Sequence, residues 1–338
     1  MSLASADRAP LVLFLVPRID KASTRYRVLQ YLPHLDKAGI RYGIETLSGG
    51  RRDVLALTPK LKSADCVFIQ KKLFSPMELF WLRRFSKRVV FDFDDAIFNK
   101  DGPASALRQG RQERRFAATV QKSDLIIAGN RYLRDVATSY NQESTLIPTV
   151  LDMVRYTEKN PDEKEATDVV LGWIGSRGTL KYLRHISTAL EKLGRQCPGV
   201  KLKIVADDFF TLTDMTVIPK TWSSEDEISD LHSFDIGLMP LVDDPWTRGK
   251  CGFKLLQCMA VGMPVVCSPV GVNTEIVSDG TEGFWAATQD EWVDRLSWLI
   301  RDRSLRREMG KKGREKVEKY FSLEANAPLF IRSLQGGK

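Results

Sequence analysis

Cysteine is sparse in this 338-residue chain and shows no pairing pattern: Cys66, Cys197, Cys251, Cys258 and Cys267 are odd in number and contain no C-x-x-C spacing. A disulfide framework and a structural zinc site are therefore disfavoured, and a reducing cytoplasm is the expected compartment. Histidine is scarcer still. His34, His185 and His232 lie far apart with no partner spacing, which argues against metal or triad chemistry, and no metal ligand set is expected. Long apolar runs are also missing. "LVLFLVP" near the start falls well short of the roughly 18 residues of a membrane span. Met1 to Pro10 lacks the charged-then-apolar order of a secretory leader. Any membrane contact is thus expected to be peripheral. No internal repeat or low-complexity tract stands out.

What is present describes a soluble globular protein, with 43% apolar and 28% charged residues. The length suits two domains of ordinary size. A net charge of +8, from 51 Lys+Arg against 43 Asp+Glu, favours anionic partners. That excess is dispersed and lacks interleaved aromatics, so no nucleic-acid partner is expected. Short β-rich apolar runs at 11–16, 41–46, 66–70, 88–93, 125–128 and 145–147 alternate with helical stretches such as 75–86 and 104–121. Runs apolar at nearly every position predict strands buried on both faces, hence a parallel sheet covered by helices. "YTEKNPDEKEATD" (156–168) is charged, holds a proline and lacks large aliphatics, the composition of a linker. The alternation then restarts, and 288–334 is nearly all helical in period with one break near Arg303.

The stretch "GKCGFKLLQCMAVGMPVV" (249–266) puts Lys254 at the start of an apolar helical segment. A helix N-terminus carries about half a positive charge, so a cation in its first turn has the wrong sign unless it turns to water or shares the place with an anion. Lys254, Gln257, Cys258 and Val261 follow i, i+3, i+4, i+7 on one face, with Phe253, Leu256 and Ala260 on another and Leu255 and Met259 beside these. Free backbone N–H groups, the dipole and a lysine make a site suited to a diphosphate, with Gln257 one turn on for an adjacent sugar hydroxyl. An ordinary solvated lysine is the competing reading.

Residues 249–285, "GKCGFKLLQCMAVGMPVVCSPVGVNTEIVSDGTEGFW", resemble the donor-binding segment of family 4 glycosyltransferases (glycosyl transferases group 1) with the GT-B fold. Other pieces fall in the order the family shows. "LIIAGNRYLRDVA" is similar to its fifth strand and following helix. "TLIPTVLD" stands where P-N-G-V-D is common, "VVLGWIGSRGTLKYL" where the second domain opens, and "YFSLEANAPLFIRSL" where a closing helix crosses back. The resemblance implies an α/β architecture of two doubly wound Rossmann-like domains with an interdomain cleft. The expected bounds are an acceptor domain over 1–157, a nucleotide-sugar donor domain over 158–320 and a returning helix over 321–338. One departure marks the chain as divergent: the places of the family's E-x7-E glutamates hold Gly249 and Gln257. An amide can accept from one ribose hydroxyl and donate to the other, without the charge that strengthens a carboxylate's bonds. Lys250 is a candidate substitute for the first glutamate.

The resemblance further implies roles for residues that follow strands. Lys254, Arg177 and Lys181 would neutralise the leaving diphosphate, with Gly252, Phe253, Leu255, Gln257 and Trp222 around the donor. Developing charge of that kind is where electrostatic stabilisation contributes most to catalysis. Arg177 and Lys181 lie four apart in "GSRGTLKYL", a spacing that turns both toward one phosphate on a helix. A solvated basic face is the alternative. In "VVFDFDDAIF", Asp92 and Asp94 are expected on one side of a strand. They are readable as a metal-binding D-x-D, as a phosphatase-like aspartate pair, or as the family's strand that ends in H-D, with Asp94 in the histidine's place. Aspartates that cap the next helix, Asp95 above all, or pair with arginines compete with these. "RIDKASTRYRV" replaces a glycine-rich loop with Ser23, Thr24, Arg25 and Arg27; Thr24 and Arg25 are candidates on the acceptor side, and a cap at Ser23 with exposed arginines is the alternative.

The activity implied is retaining transfer of a sugar from a nucleotide-diphosphate donor to an acceptor hydroxyl, with Asp94, Arg177 and Lys254 as catalytic residues and no cofactor beyond that co-substrate. A glycan, a lipid-linked intermediate or a small molecule would be the acceptor, as in cell-envelope polysaccharide or glycolipid synthesis, and the protein would be cytoplasmic, with possible peripheral contact at an anionic inner leaflet. A GT-B-like sugar-nucleotide epimerase and a nucleotide-binding protein without transfer activity are the rival readings.

Overall fold

The structure is a computed structural model that describes residues 8–47, 51–99, 102, 106–160 and 168–336. Most of the expected linker, 161–167, lies outside the described residues. The chain divides into two compact units. The first comprises Met1–Val150, Gly249–Cys251 and Leu323–Lys338, and the second Leu151–Arg248 and Gly252–Ser322. The first division therefore falls a few residues before the expected 157, and three residues from the middle of the chain belong with the first unit.

In the first unit six strands form one sheet: β1 (Leu11–Val16), β2 (Arg41–Thr46), β3 (Cys66–Gln70), β4 (Val89–Phe93), β5 (Leu125–Ala128) and β6 (Ser144–Leu146). All pairings are parallel, in the order β2-β1-β3-β4-β5-β6. The strands match the apolar runs because a sheet covered on both faces buries every side chain, as β3 and β4 do throughout. The helix Pro76–Phe85 opens on a capping box in which Ser75 and Glu78 satisfy each other's backbone N–H groups. The closing helix Leu323–Gln335 lies on this sheet, with the Phe330 ring stacked on Tyr31 at 4.1 Å.

The second unit holds β7 (Val170–Ile174), β8 (Lys201–Ala206), β9 (Thr216–Thr221), β10 (Ile236–Met239), β11 (Val265–Cys267) and β12 (Gly283–Trp285). They also pair in parallel, in the order β12-β11-β10-β7-β8-β9. Renumbered within the unit this is 3-2-1-4-5-6, the dinucleotide-binding order, whose direction reverses between β7 and β10. In the first unit the reversal falls between β1 and β3. Those two places, beyond the carboxyl ends of the strands, are where such sheets hold ligands.

Two expectations about helices need correction. The segment after β7 is a 3-10 turn, Arg177–Thr179, followed by separate helices Leu180–His185 and Ser187–Gln196, not one continuous helix. The C-terminal segment has two breaks, giving helices Gln289–Arg301, Arg303–Tyr320 and Leu323–Gln335. Among the described residues no helix is long and apolar enough to cross a membrane.

Candidate functional site

At the carboxyl end of the second sheet, the helix Phe253–Ala260 follows β10 and begins on Gly252, whose left-handed backbone (φ 64) serves as N-cap without any side-chain cap. Only glycine adopts that conformation freely, and a Cβ there would stand 2.3 Å from Ile276 Cδ1. The first-turn N–H groups thus lack a capping side chain. Lys254 does not trail into bulk water. Its ammonium rests over the ring of Trp173 in β7, 5.2 Å from the centroid, a cation–π contact on a buried indole. This joins the two strands of the reversal, since Trp173 is on β7 and Lys254 follows β10.

Gln257 is buried, and its Nε2 donates to the Tyr156 hydroxyl at 3.1 Å, which in turn donates to Glu227 Oε1 at 2.9 Å. Its amide hydrogens therefore serve the unit's own interior. Phe253 is half-buried. Leu255 leaves the candidate set: its side chain is in the core and its N–H donates to the Gly252 carbonyl at 2.9 Å. Burial pushes the Cys258 thiol up to about 12, against the pull of Lys254.

Arg177 and Lys181 do not share a helical face, because the 3-10 turn separates them. Arg177 is 78% exposed and its Nε lies 3.4 Å from Asp208 after β8. The exposed Lys181 lies with its ammonium 5.0 Å above the Tyr182 ring. Trp222 follows the edge strand β9, 40% exposed, with its backbone N–H on the Ala206 carbonyl. All three stand on the carboxyl edge, and Arg177 is the one that follows a strand of the reversal.

The carboxyl end of the first sheet is organised by ion pairs. Arg27 is 2% exposed, against the alternative of exposed arginines; it pairs with Asp92 of β4 and donates from Nη1 to the Ile147 carbonyl at 2.7 Å. Burial is the main influence on Asp92 and pushes its carboxyl above the ordinary range, with Arg27 opposing. Asp94, one residue past the strand, is also buried, but Lys71 Nζ lies 2.5 Å from its Oδ1 and Thr149 Oγ1 3.4 Å from its Oδ2. Burial pulls its carboxyl up; Lys71 and Arg27 outweigh that and hold it below the ordinary range. Asp95 takes the same Lys71 ammonium at 2.6 Å. Among the described residues it caps no helix, and the next begins at Ala106.

Thr24 is buried, with Oγ1 donating to the Arg18 carbonyl at 2.7 Å and 2.9 Å from Gln70 Oε1. Arg25 donates from Nη2 to the Tyr26 hydroxyl at 2.6 Å, and its guanidinium lies over the Tyr26 ring. Ser23 is not the cap of this helix: the N-cap is Lys21, without a side-chain bond. Gly249 packs so tightly on this unit that a Cβ would stand 2.5 Å from Ala96 Cβ and 2.8 Å from its backbone nitrogen. A larger side chain there would require the Ala96 backbone to shift. Lys250, next to it, gives its carbonyl to Asn130 Nδ2 at 2.8 Å and brings Nζ to 3.8 Å from Asp95 Oδ1. Sequence reasoning missed Lys71 altogether and left Arg27 open between a basic cluster at a helix start and an exposed arginine. The D-F-D-D run was the available signal, since buried carboxylates demand nearby cations.

Comparison with known proteins identifies the fold. Sucrose-phosphate synthase from Thermosynechococcus elongatus superposes with a TM-score of 0.75 at 15% identity, over 97% of this chain and 99% of that one. Anabaena HepE, solved in complex with UDP and glucose, superposes with a TM-score of 0.69 at 14% identity, over 97% of this chain and 100% of that one. The fold is thus GT-B. A sulfoquinovosyl transferase of Arabidopsis thaliana is 26% identical over 159 residues, 44% of this chain and 29% of that protein. This chain covers less than two thirds of each curated relative's length. Residues 155–316, which carry the Lys254 helix and the Arg177 turn, match the family described as glycosyl transferases group 1.

Proposed function

We propose that the chain is a nucleotide-sugar-dependent glycosyltransferase of the family 4 type, which moves a sugar to an acceptor hydroxyl with retention of configuration. The observation that carries the reading is Lys254. It stands in the first turn of a helix opened by left-handed Gly252, at the reversal point of the second sheet, with its ammonium held on Trp173. A diphosphate there meets backbone N–H groups, the helix dipole and a lysine together. Arg177, following the neighbouring strand, adds charge where the leaving diphosphate develops its own.

Retaining transfer by attack from the leaving-group side needs no carboxylate pair at glycosidase spacing, because the departing phosphate oxygen takes the acceptor's proton. Asp94, Asp95, Thr24 and Arg25 belong to the acceptor side in this reading. Anabaena HepE was solved with UDP and glucose, which supports uridine as the first base to test. We assign no metal or further cofactor to the reaction.

The test is incubation with a panel of labelled nucleotide sugars. Transfer or slow donor hydrolysis is the expected result. Conversion to an isomeric nucleotide sugar would favour an epimerase, and binding without turnover a nucleotide-binding protein. For the acceptor we propose a cell-envelope glycan or lipid-linked intermediate reached from the cytoplasmic side. The helix Ala106–Gln121 supports peripheral docking, since it exposes Arg108, Arg111, Arg114 and Arg115 beside Leu107, which is 83% exposed. Cations next to an exposed apolar residue suit an anionic leaflet. Sedimentation with vesicles should show preference for acidic lipid; equal partition onto neutral vesicles removes the membrane from this reading.

A further inference from the structure

Lys71 follows β3, at the point where strand order reverses in the first sheet, so it stands where such sheets bind ligands. Among the described residues it is the only non-glycine with a left-handed backbone, at φ 55. That conformation costs a lysine on the order of 1 kcal/mol or more, and it persists only where the surroundings impose it. The surroundings here are specific. The Lys71 N–H donates to the Asp92 carbonyl at 2.8 Å, and the side chain is thereby delivered between Asp94 Oδ1 and Asp95 Oδ2, at 2.5 and 2.6 Å.

Exposure divides these two carboxylates. The Asp94 side chain is 5% exposed and that of Asp95 is 30% exposed. Asp95 is flanked by two cations, with Lys71 on Oδ2 and Lys250, 3.8 Å away, on Oδ1. A carboxylate held from both sides cannot swing freely, and it keeps lone pairs for a hydroxyl donor.

We propose that Lys71 is a positioning residue for glycosyl transfer: it anchors on Asp94 and fixes Asp95 so that the outer carboxylate accepts a hydrogen bond from the acceptor hydroxyl. This rests on the glycosyltransferase reading above. The strained backbone is then the cost of aiming one ammonium at two carboxylates. Around Asp94 the charged groups are Lys71 and Arg27, which favour its ionised form, and Asp92 and Asp95, which oppose it. Cys251 is neutral there, its thiol pushed up to about 11 by burial. Without the Lys71 ammonium, burial would dominate and Asp94 would take up a proton at higher pH.

The experiment compares Lys71→Met and Lys71→Arg with wild type across pH, using the nucleotide sugar that wild type turns over and correcting for folded protein. The methionine variant should lose at least about tenfold in kcat. Its donor KM should stay unchanged, and its acid limb should move to higher pH. Arginine should restore most of kcat and the original limb. If methionine leaves kcat and the limb unchanged, Lys71 is structural only and the proposal fails. Should that variant not fold, Asp95→Asn decides: a raised acceptor KM with unchanged donor KM supports the assignment, and an unchanged acceptor KM overturns it. Wild type that turns over no nucleotide sugar would sink the glycosyltransferase reading itself, a result distinct from active wild type with indifferent variants.

Discussion

The two sheets end in opposite electrostatic states although both are parallel, six-stranded and reversed in strand order near their middle. Beyond the first sheet the charges are already paired with one another: Arg27 with Asp92, and Lys71 with Asp94 and Asp95, the cations no more than 15% exposed. Beyond the second, Arg177 is 78% exposed with one loose aspartate contact, and Lys254 rests on an aromatic face. Buried ion pairs fix a geometry before any ligand arrives, whereas an exposed guanidinium such as that of Arg177 stays open to solvent. One topology thus supplies a rigid end and a receptive end.

The sharpest way to break the comparison is Arg27→Met, which leaves the fully buried Asp92 without its counter-ion. Unfolding free energy should fall by about 4 kcal/mol, as when one partner of a buried pair is removed. Urea denaturation measures it, and Arg27→Met with Asp92→Leu should recover much of the loss. A drop below about 1 kcal/mol for the single variant would put this pair on a par with exposed ones.

Next is Gly249→Glu, which drives a side chain into Ala96. About 3 kcal/mol of stability should be lost, the upper range for overpacking, with no gain in donor affinity. Unchanged stability would mean that the loop moves aside. At the receptive end, Lys254→Ala should weaken UDP binding by about 2 kcal/mol, or roughly 30-fold in Kd by calorimetry, with no comparable change in stability. An unaltered Kd would remove Lys254 from the site. The smallest effect belongs to Arg177→Ala. About 1 kcal/mol of nucleotide affinity should go, and the difference should fade as salt is raised, because an exposed charge is screened. Persistence at high salt would place Arg177 in a more enclosed setting than its exposure indicates.

Strand positions were legible because a parallel sheet buried on both faces writes itself as continuous apolar runs, and the observed strands lie on those runs to within a residue or two. The GT-B resemblance was legible in 249–285 because a glycine-opened helix and its following loop are short-range features. Helix continuity after β7 was misread, since the choice between a 3-10 turn and an α-helical start at Arg177 depends on capping by Ser176 and Thr179 and on contacts with the next loop. Gln257 looked accessible by helical period alone, because period assigns a face without saying what covers it. Tyr156 covers it, from a hundred residues away in the chain.

Local chemistry in the chain therefore determined where strands form, which glycine opens the Lys254 helix and which sign of ligand that helix suits, since each depends on neighbours within a turn or two. Tertiary structure decided which charges are buried in ion pairs and which face solvent. Arg27 meets Asp92, and Lys71 meets Asp94, across separations that no periodicity encodes. The desolvation of a charge depends on everything packed around it, so only the folded sheet ends could distinguish the buried arginine from the exposed one.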